Sequence, residues 1–388
     1  MGAETVSTRR GGLVGFLVLY GTLYGAYGVL SPILPGFLAM RGLDPGAIGM
    51  LLAAAGALRL VIGPLAGAWS DRRQAARTIL AASLAAASLA VLAHLPGIGF
   101  AQLIGPALLY AAGTAAPAPL ADALALAAAR GGAAFQYGWV RAAGSSAFIA
   151  ATVAAGWLIA ALGLAAALWA SGALFLAAAA ASLALPPSDR ARSVAAGPPW
   201  RGFAALVALP RFRLTVLAAA LVIGAHAMHD GFAMILWRSA GIPAGVAGLL
   251  WSVSVLAEVL VFLLAGPPLL ARIGLPAGIA VAAIAGALRW AVLGATVVVP
   301  WLAAAEALHG LSFALLHLAC LGLIEQTTPP ELRATALALY GTLGLGLSGV
   351  LATLASGLLY GAFGAQAFWA MAGLSLAALP LVPGLRPR

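Results

Sequence analysis

Apolar runs long enough to cross a bilayer follow one another along almost the whole chain. They lie near 12–39, 46–69, 78–96, 99–128, 139–162 and 164–185, and then near 213–238, 244–267, 275–299, 301–325, 335–360 and 364–383. A hydrocarbon core about 30 Å thick takes about 20 apolar helical residues, so the pattern predicts twelve membrane-spanning helices. A polar stretch, 186–212, with Pro186, Pro187, Pro198, Pro199 and four Arg, separates the two sets. The expected organisation is therefore an N-terminal six-helix half (1–185), a cytoplasmic linker (186–212) and a C-terminal six-helix half (213–388), an all-α membrane protein with two pseudo-symmetric halves.

Charge placement supports the same count. With the N-terminus in the cytoplasm, the inner connections and tails hold Arg9, Arg10, Arg72, Arg73, Arg77, Arg130, Arg190, Arg192, Arg201, Arg211, Arg213, Arg272, Arg333, Arg386 and Arg388. The outer connections hold only Arg41 and Arg238. Positive residues stay on the cytoplasmic side, and adding or dropping one helix would scramble the asymmetry. Both termini are expected in the cytoplasm of a bacterial-type inner membrane. Thr8-Arg9-Arg10-Gly11 faintly resembles a twin-Arg signal, but the run after it is too long and is followed by further helices.

Composition changes the picture only by exclusion. The 388 residues are 63% hydrophobic and 8% charged, with a mean hydropathy of +1.06; a water-covered protein would carry roughly a quarter charged residues. The net charge of +10 does not indicate a nucleic-acid partner, because the Arg residues sit between apolar runs and form no basic stripe interleaved with aromatics. Cys320 is alone and permits no intramolecular disulfide. No metal-ligand cluster, Gly-rich phosphate loop or Ser/His/Asp array is present, so no cofactor is expected and the chain does not read as an enzyme.

Some charges lie where charge is expensive. An ionised group at mid-membrane costs about 2.5–3.5 kcal/mol on insertion scales, and Arg59, Asp122, Arg141, Asp230, Glu258, Arg289 and Glu306 fall in or near the apolar runs, with His226, His229, His309 and His317. Arg59 and Asp230 can be read as helix-end residues; Glu258, Arg289 and His309 lie well inside. At helical spacing, Glu306, His309, Phe313 and His317 share one stripe, as do Trp251, Ser254, Glu258 and Phe262. His226, Asp230, Ala233 and Trp237, then Arg141, Ser145, Phe148 and Thr152, and then Tyr20, Tyr24, Tyr27 and Ser31 make three more. Aromatic stripes alone usually mean packing. Because lipid cannot satisfy the ionisable groups, they are expected to face a shared wet cavity, as in secondary transporters.

After the second run stand Gly67-Ala68-Trp69-Ser70-Asp71-Arg72-Arg73-Gln74-Ala75-Ala76-Arg77. This resembles the cytoplasmic loop motif of the major facilitator superfamily, with Gly67, Asp71, Arg72 and Arg77 at its key positions and Gln74 where the motif has Gly. A fainter copy, Gly266 to Gly274 around Arg272, follows the eighth run. More closely, the chain resembles the phenylpropionate permease family, related to the lactose permease. The best stretches are Tyr137 to Ser145 around Arg141, Gly224-Ala225-His226-Ala227 with Gly231-Phe232, Leu250 to Val253 with Ala257-Glu258-Val259, Arg289-Trp290, and Leu308-His309. The resemblance implies that Asp122 and Arg141 form an acid–Arg pair at the substrate. It also implies that Glu258 is a substrate carboxylate, and that Arg289 and His309 join proton coupling. Ser312 stands where the lactose permease has its proton-release carboxylate, and Glu306 where it has a Lys, so coupling would have to be rewired through Glu306 or Glu258.

The reading that results is a proton-coupled importer of a small organic solute, such as an aromatic carboxylate, working by alternating access. Arg141 would clamp the carboxylate, with Asp122, Glu258, Trp251, Tyr20, Tyr24, His226 and Phe313 around the substrate. Glu306, His309, Glu258 and Arg289 would couple the proton. A sugar or nucleoside symporter is the alternative within transport, and a membrane-embedded transferase the alternative of another class. The expected partners are a small molecule, protons and lipid, and the protein is expected to be monomeric.

Overall fold

In the computed structural model, residues 2–130, 135–185 and 202–386 are described, with backbone alone for 2–11 and 130. The side chains of Arg9, Arg10, Arg130, Arg190, Arg192, Arg201 and Arg388, and the linker residues 186–201, lie outside what is described. The fold is all-α, as the apolar pattern requires. Eleven apolar helical stretches among the described residues are long enough to cross a membrane. The last, Pro330–Leu385, has 56 residues, far more than one crossing takes. It turns at Gly364, whose φ of +55° suits glycine, and therefore makes two passes.

We number the passes α1 (Gly2–Leu30), α2 (Pro45–Arg73), α3 (Ala76–Ala93), α4 (Gly99–Ala115 and Pro117–Arg130), α5 (Tyr137–Leu162) and α6 (Leu164–Ala184). The others are α7 (Pro210–Gly224 and His226–Ser239), α8 (Ala244–Ile273), α9 (Leu275–Ala295), α10 (Val299–Thr327), α11 (Arg333–Phe363) and α12 (Phe368–Leu376, then a 3₁₀ turn Leu379–Leu385). The first apolar run is not one helix. It breaks at 31–33 and resumes as the short helix Leu34–Met40, because Pro32 and Pro35 remove backbone donors. Likewise α4 breaks at Ala116 before Pro117, and α7 at Ala225. The polar stretch after α6 is not loop to its end, since Phe203–Ala208 forms a short helix.

The described residues gather into two compact units, one from 2–42, 54–185 and 243–248, the other from 43–53, 202–242 and 249–386. In the first, α1 packs on α5 and α6, and α3 on α4 and α6. Lipid offers no hydrophobic drive between helices, so close backbone approach and small polar groups do the joining. A Cβ at Gly113 on α4 would lie 2.7 Å from the Ala87 nitrogen on α3, and one at Gly28 on α1 would run into the Phe148 carbonyl on α5. Three hydroxyls cross between helices: Ser88 donates to the Gly172 carbonyl at 2.8 Å, Thr152 to Gly28 at 2.8 Å and Ser171 to Ala26 at 3.0 Å.

In the second unit α9 packs against α10 and α12, and α7 against α10 and α11. Three π-helical stretches interrupt α8 (Val261–Ala265), α10 (Gly310–Leu315) and α11 (Tyr340–Leu347); such widened turns re-aim side chains and often sit at functional sites. Outward, large apolar side chains such as Leu89, Trp157, Leu162, Leu263 and Leu264 are more than half exposed, which suits a lipid-facing surface.

The turn after α2 follows the helix-end geometry of the cytoplasmic motif. Gln74 has φ +50°, the one positive φ at a non-glycine residue among the described residues, and the Ala75 N–H returns to the Ser70 carbonyl at 3.3 Å. That is a Schellman ending, whose left-handed position favours glycine. Arg77, at the start of α3, donates to the Leu185 carbonyl at the end of α6. Gly67 lies inside α2, and a Cβ there would meet nothing within 4 Å, so within this structure it serves no close approach. Replacing Gln74 by Gly removes a left-handed penalty of about 1 kcal/mol. The Gln74→Gly protein should melt at higher temperature in detergent, and an unchanged or lowered melting temperature would contradict the strain.

Candidate functional site

Each unit carries one cluster of polar and aromatic groups. In the first unit, the stripe on α1 meets α4 and α5. Tyr20 is fully buried and donates its hydroxyl to Asp122 Oδ1 at 2.5 Å. The Tyr20 and Tyr24 rings stack with centroids 5.6 Å apart, and Tyr24 meets Tyr27 edge-on at 6.1 Å. Arg141 is exposed, with its guanidinium 4.7 Å above the Tyr24 ring, a cation–π geometry. Gly144, one turn further on α5, makes room for this stack: a Cβ there would lie 2.8 Å from Tyr24 and 3.2 Å from Tyr20.

The expected direct pair between Asp122 and Arg141 is not formed. The acid is held by the Tyr20 hydroxyl while the guanidinium lies on the Tyr24 face and keeps its N–H fork for another acceptor. Arg59, on α2, is satisfied by Thr114 at 3.3 Å and by the Tyr110 ring at 5.8 Å.

The second unit holds a longer string. Arg289 on α9 and Glu306 on α10 are both fully buried, joined through NH2 and Oε2 at 2.7 Å. The other oxygen of Glu306 takes His229 Nε2 on α7 at 3.0 Å, and His229 Nδ1 faces Asp230 Oδ1 at 3.3 Å. On its other side Arg289 NH1 meets His309 Nδ1 at 2.8 Å, and His309 Nε2 lies 3.4 Å from Glu258 Oε2 on α8. Arg289, Glu258, His309 and Glu306 are thus brought together, as their placement in apolar runs predicts. The buried core of the string is Arg289–Glu306–His229, and its ends emerge at Asp230 and Glu258, whose side chains are 67% and 29% exposed.

Aromatic rings enclose the string. Trp251 lies 4.7 Å from the His229 ring, and Trp290 and Trp237 lie beyond at 6.1 and 5.8 Å. His309, Phe313 and His317 stack in sequence along α10 at 5.2 and 6.5 Å. His226 bonds the Val222 carbonyl through Nδ1 at 3.0 Å and Ser312 through Nε2 at 3.2 Å, so both its nitrogens are engaged within the unit.

His229 and Asp230 carry more of this cluster than their sequence positions suggest. His229 shares no stripe with Asp230, and α7 restarts at His226 after Ala225, which turns the register away from a continuous helix. The signal available in the sequence was a second histidine inside an apolar run.

Membrane-length helices that carry ionisable groups in each unit, among the described residues, suit a membrane transporter. Residues 13–371 match the MFS_1 like family, and the chain belongs to that family. It is 31% identical over 379 residues to the probable 3-phenylpropionic acid transporter of Escherichia coli (strain K12), covering 95% of this chain and 96% of that protein. It is 29% identical over 355 residues to the maltose permease of Geobacillus stearothermophilus, covering 89% and 86% of the two chains. The fold is that of the nucleoside transporter NupG, for which a point-mutant structure aligns with a TM-score of 0.86, 18% identity and coverage of 96% and 99%. The chain is a multi-pass membrane transporter of the MFS type and not an enzyme.

The ion pair has a clear energetic consequence. Removing one partner of a buried pair leaves an uncompensated charge and costs about 3–5 kcal/mol. Arg289→Met should therefore lower the melting temperature of the purified protein sharply, and adding Glu306→Gln to it should restore most of the loss. A double variant less stable than Arg289→Met would show that the two charges do not compensate each other.

Proposed function

We propose that the protein is a proton-coupled importer of a small organic acid, with an aromatic carboxylate as the preferred cargo. The observation that carries this reading is the exposed Arg141 guanidinium lying over the Tyr24 ring, which stacks on Tyr20. A guanidinium fork binds a carboxylate with two parallel, charge-assisted hydrogen bonds, and the half-buried Tyr24 ring beside it suits an aryl group. The name of the Escherichia coli relative, a probable 3-phenylpropionic acid transporter, supports that class of cargo.

In this proposal Asp122 fixes Tyr20 and so the stack. Trp251, Phe313, His226 and Glu258 belong to the substrate region of the C-terminal half, and Arg289, Glu306 and His309 to the coupling machinery. Glu306 is enclosed by Arg289 and His229, whereas Glu258 remains partly open. Loading an anionic substrate and a proton together reduces the charge that must cross between the outward- and inward-open states. The boundaries 1–185, 186–212 and 213–388 are the proposed moving halves and their connection. Gly67, Asp71, Arg72 and Arg77 form the proposed cytoplasmic gate, and both termini are assigned to the cytoplasm. The maltose permease relative keeps sugars as the competing cargo.

Proteoliposomes energised by an imposed pH gradient provide the test, screened across aromatic acids, sugars and nucleosides. Gradient-driven uptake of phenylpropionate-type acids is expected, and Arg141→Ala should reduce it about 10- to 100-fold, the loss of one charge-assisted contact of about 1.5–3 kcal/mol. Uptake of sugars instead of acids, or full uptake by Arg141→Ala, would overturn the assignment. Cytoplasmic placement is tested by C-terminal reporter fusions: an active green fluorescent protein and an inactive alkaline phosphatase are expected.

A further inference from the structure

We propose that His229, rather than His309, is the histidine that stores the transported proton, and that Asp230 is the group through which that proton enters and leaves. The proposal rests on proton-coupled transport for its physiological meaning, but the protonation states follow from geometry alone.

The neighbours of each ring nitrogen decide the matter. A neutral imidazole has one N–H and one bare nitrogen, and a doubly protonated ring has two N–H donors. His229 has a carboxylate oxygen on each side, Glu306 Oε1 at 3.0 Å from Nε2 and Asp230 Oδ1 at 3.3 Å from Nδ1. Ionised carboxylates only accept. Two N···O gaps therefore need two protons, and a neutral histidine brings one. The second must be loaded, and it sits on the ring, because an imidazole is more basic than a carboxylate and Glu306 is already paired with Arg289. Turning the ring over would aim carbon atoms at both carboxylates and remove both contacts. In this structure the Asp230–His229–Glu306 triad is thus in its proton-loaded form.

His309 is bound the opposite way. Its Nδ1 lies 2.8 Å from Arg289 NH1, and a guanidinium has donors only and stays charged. Nδ1 must therefore be the bare acceptor, which leaves the single ring proton on Nε2, facing Glu258 Oε2 at 3.4 Å. While Arg289 holds this position, a second proton on His309 would put two donors against each other. His309 is a fixed neutral donor toward Glu258, not a proton carrier.

Arg289 also divides the string. Because a guanidinium cannot give up its proton, no proton hops through it from Glu306 to His309. The loaded proton has one open end, the Asp230 carboxylate, which is 67% exposed while His229 and Glu306 are 3% and 0% exposed. The other charged and titratable groups around His229 are Arg289 on α9, which lies behind Glu306 and opposes loading, and His226 on α7 and His309 on α10, which lie beyond. Trp237, Trp251 and Trp290 fill the remaining faces with uncharged rings and keep water from the nitrogens.

Nitrogen-15 NMR of histidine-labelled full-length protein in lipid vesicles reads the ring protons directly. At neutral pH His229 is expected to give two protonated ring nitrogens, and His309 one protonated and one bare nitrogen. As the pH rises, His229 alone should lose its second proton. His229→Gln and His309→Gln assign the signals by their disappearance. Should either fail to fold, Asp230→Asn identifies His229, because it removes the negative charge beside Nδ1 and supplies an amide N–H that a bare ring nitrogen can accept, and so should leave that ring singly protonated at neutral pH. A bare nitrogen on His229 with Asp230 and Glu306 intact, or a doubly protonated His309, would overturn the proposal. In proteoliposomes, Asp230→Asn should shift the pH profile of gradient-driven uptake toward acid. An unshifted profile would overturn the role of Asp230. Absence of any gradient-driven uptake in the parent protein would instead defeat the proton-coupled reading and leave the NMR result standing.

Discussion

Hydrocarbon can neither hydrogen-bond a peptide group nor solvate a charge, and every feature of this protein answers that constraint. Closed helices satisfy the backbone within each segment. The charges that the chain nevertheless carries into the bilayer must find one another, and the Arg289–Glu306 pair at 2.7 Å is the place where they do so most completely. Around it, His229 and His309 use all four ring nitrogens on charged partners, and three tryptophans close the remaining space. Had either member of the pair been apolar, the other would have faced a desolvation penalty of several kcal/mol.

The two clusters solve different problems. In the first unit, the acid is capped by the Tyr20 hydroxyl, so that Arg141 is left with an aromatic support and unused donors. There the proposed carboxylate cargo would bind. In the second unit, acid, base and cation bond to one another, with the buried Arg289 Nε left over, and the terminal carboxylates are the most exposed members of the string. That is an arrangement for holding charge states. The π-helical turns in α8, α10 and α11 occur only in this second unit among the described residues. Gly310, at the start of the turn in α10, brings that helix against the Ala257 carbonyl of α8, close to Glu258 and His309.

Joining helices with small residues has a further effect. Where a Cβ at Gly28, Gly113 or Gly310 would strike backbone, helix contacts are made by main chain and by single hydroxyls such as Ser88, Thr152 and Ser171. Such contacts are short-ranged and specific, and they hold each helix at one depth against its neighbour. The side chains of the polar stripes thereby keep their registers, which a seam of long, flexible residues would not ensure.

Much of this was readable from residue order. Runs of about twenty apolar residues gave the crossings because bilayer thickness sets helix length, and ionisable residues inside those runs marked the site because their cost there is high. Spacing along one helix also grouped Tyr20 with Tyr24 and His309 with Phe313 correctly. What spacing could not reach was the choice of partner between helices. Only the tertiary structure put Asp122 on Tyr20 instead of Arg141, and Glu306 between Arg289 and His229. It also broke α7 at Ala225 and widened α10 at Gly310, which decided the atom each histidine nitrogen faces. Periodicity says which face of a helix a side chain occupies; a protonation state depends on distances of a few tenths of an ångström, and those are set only when the helices pack.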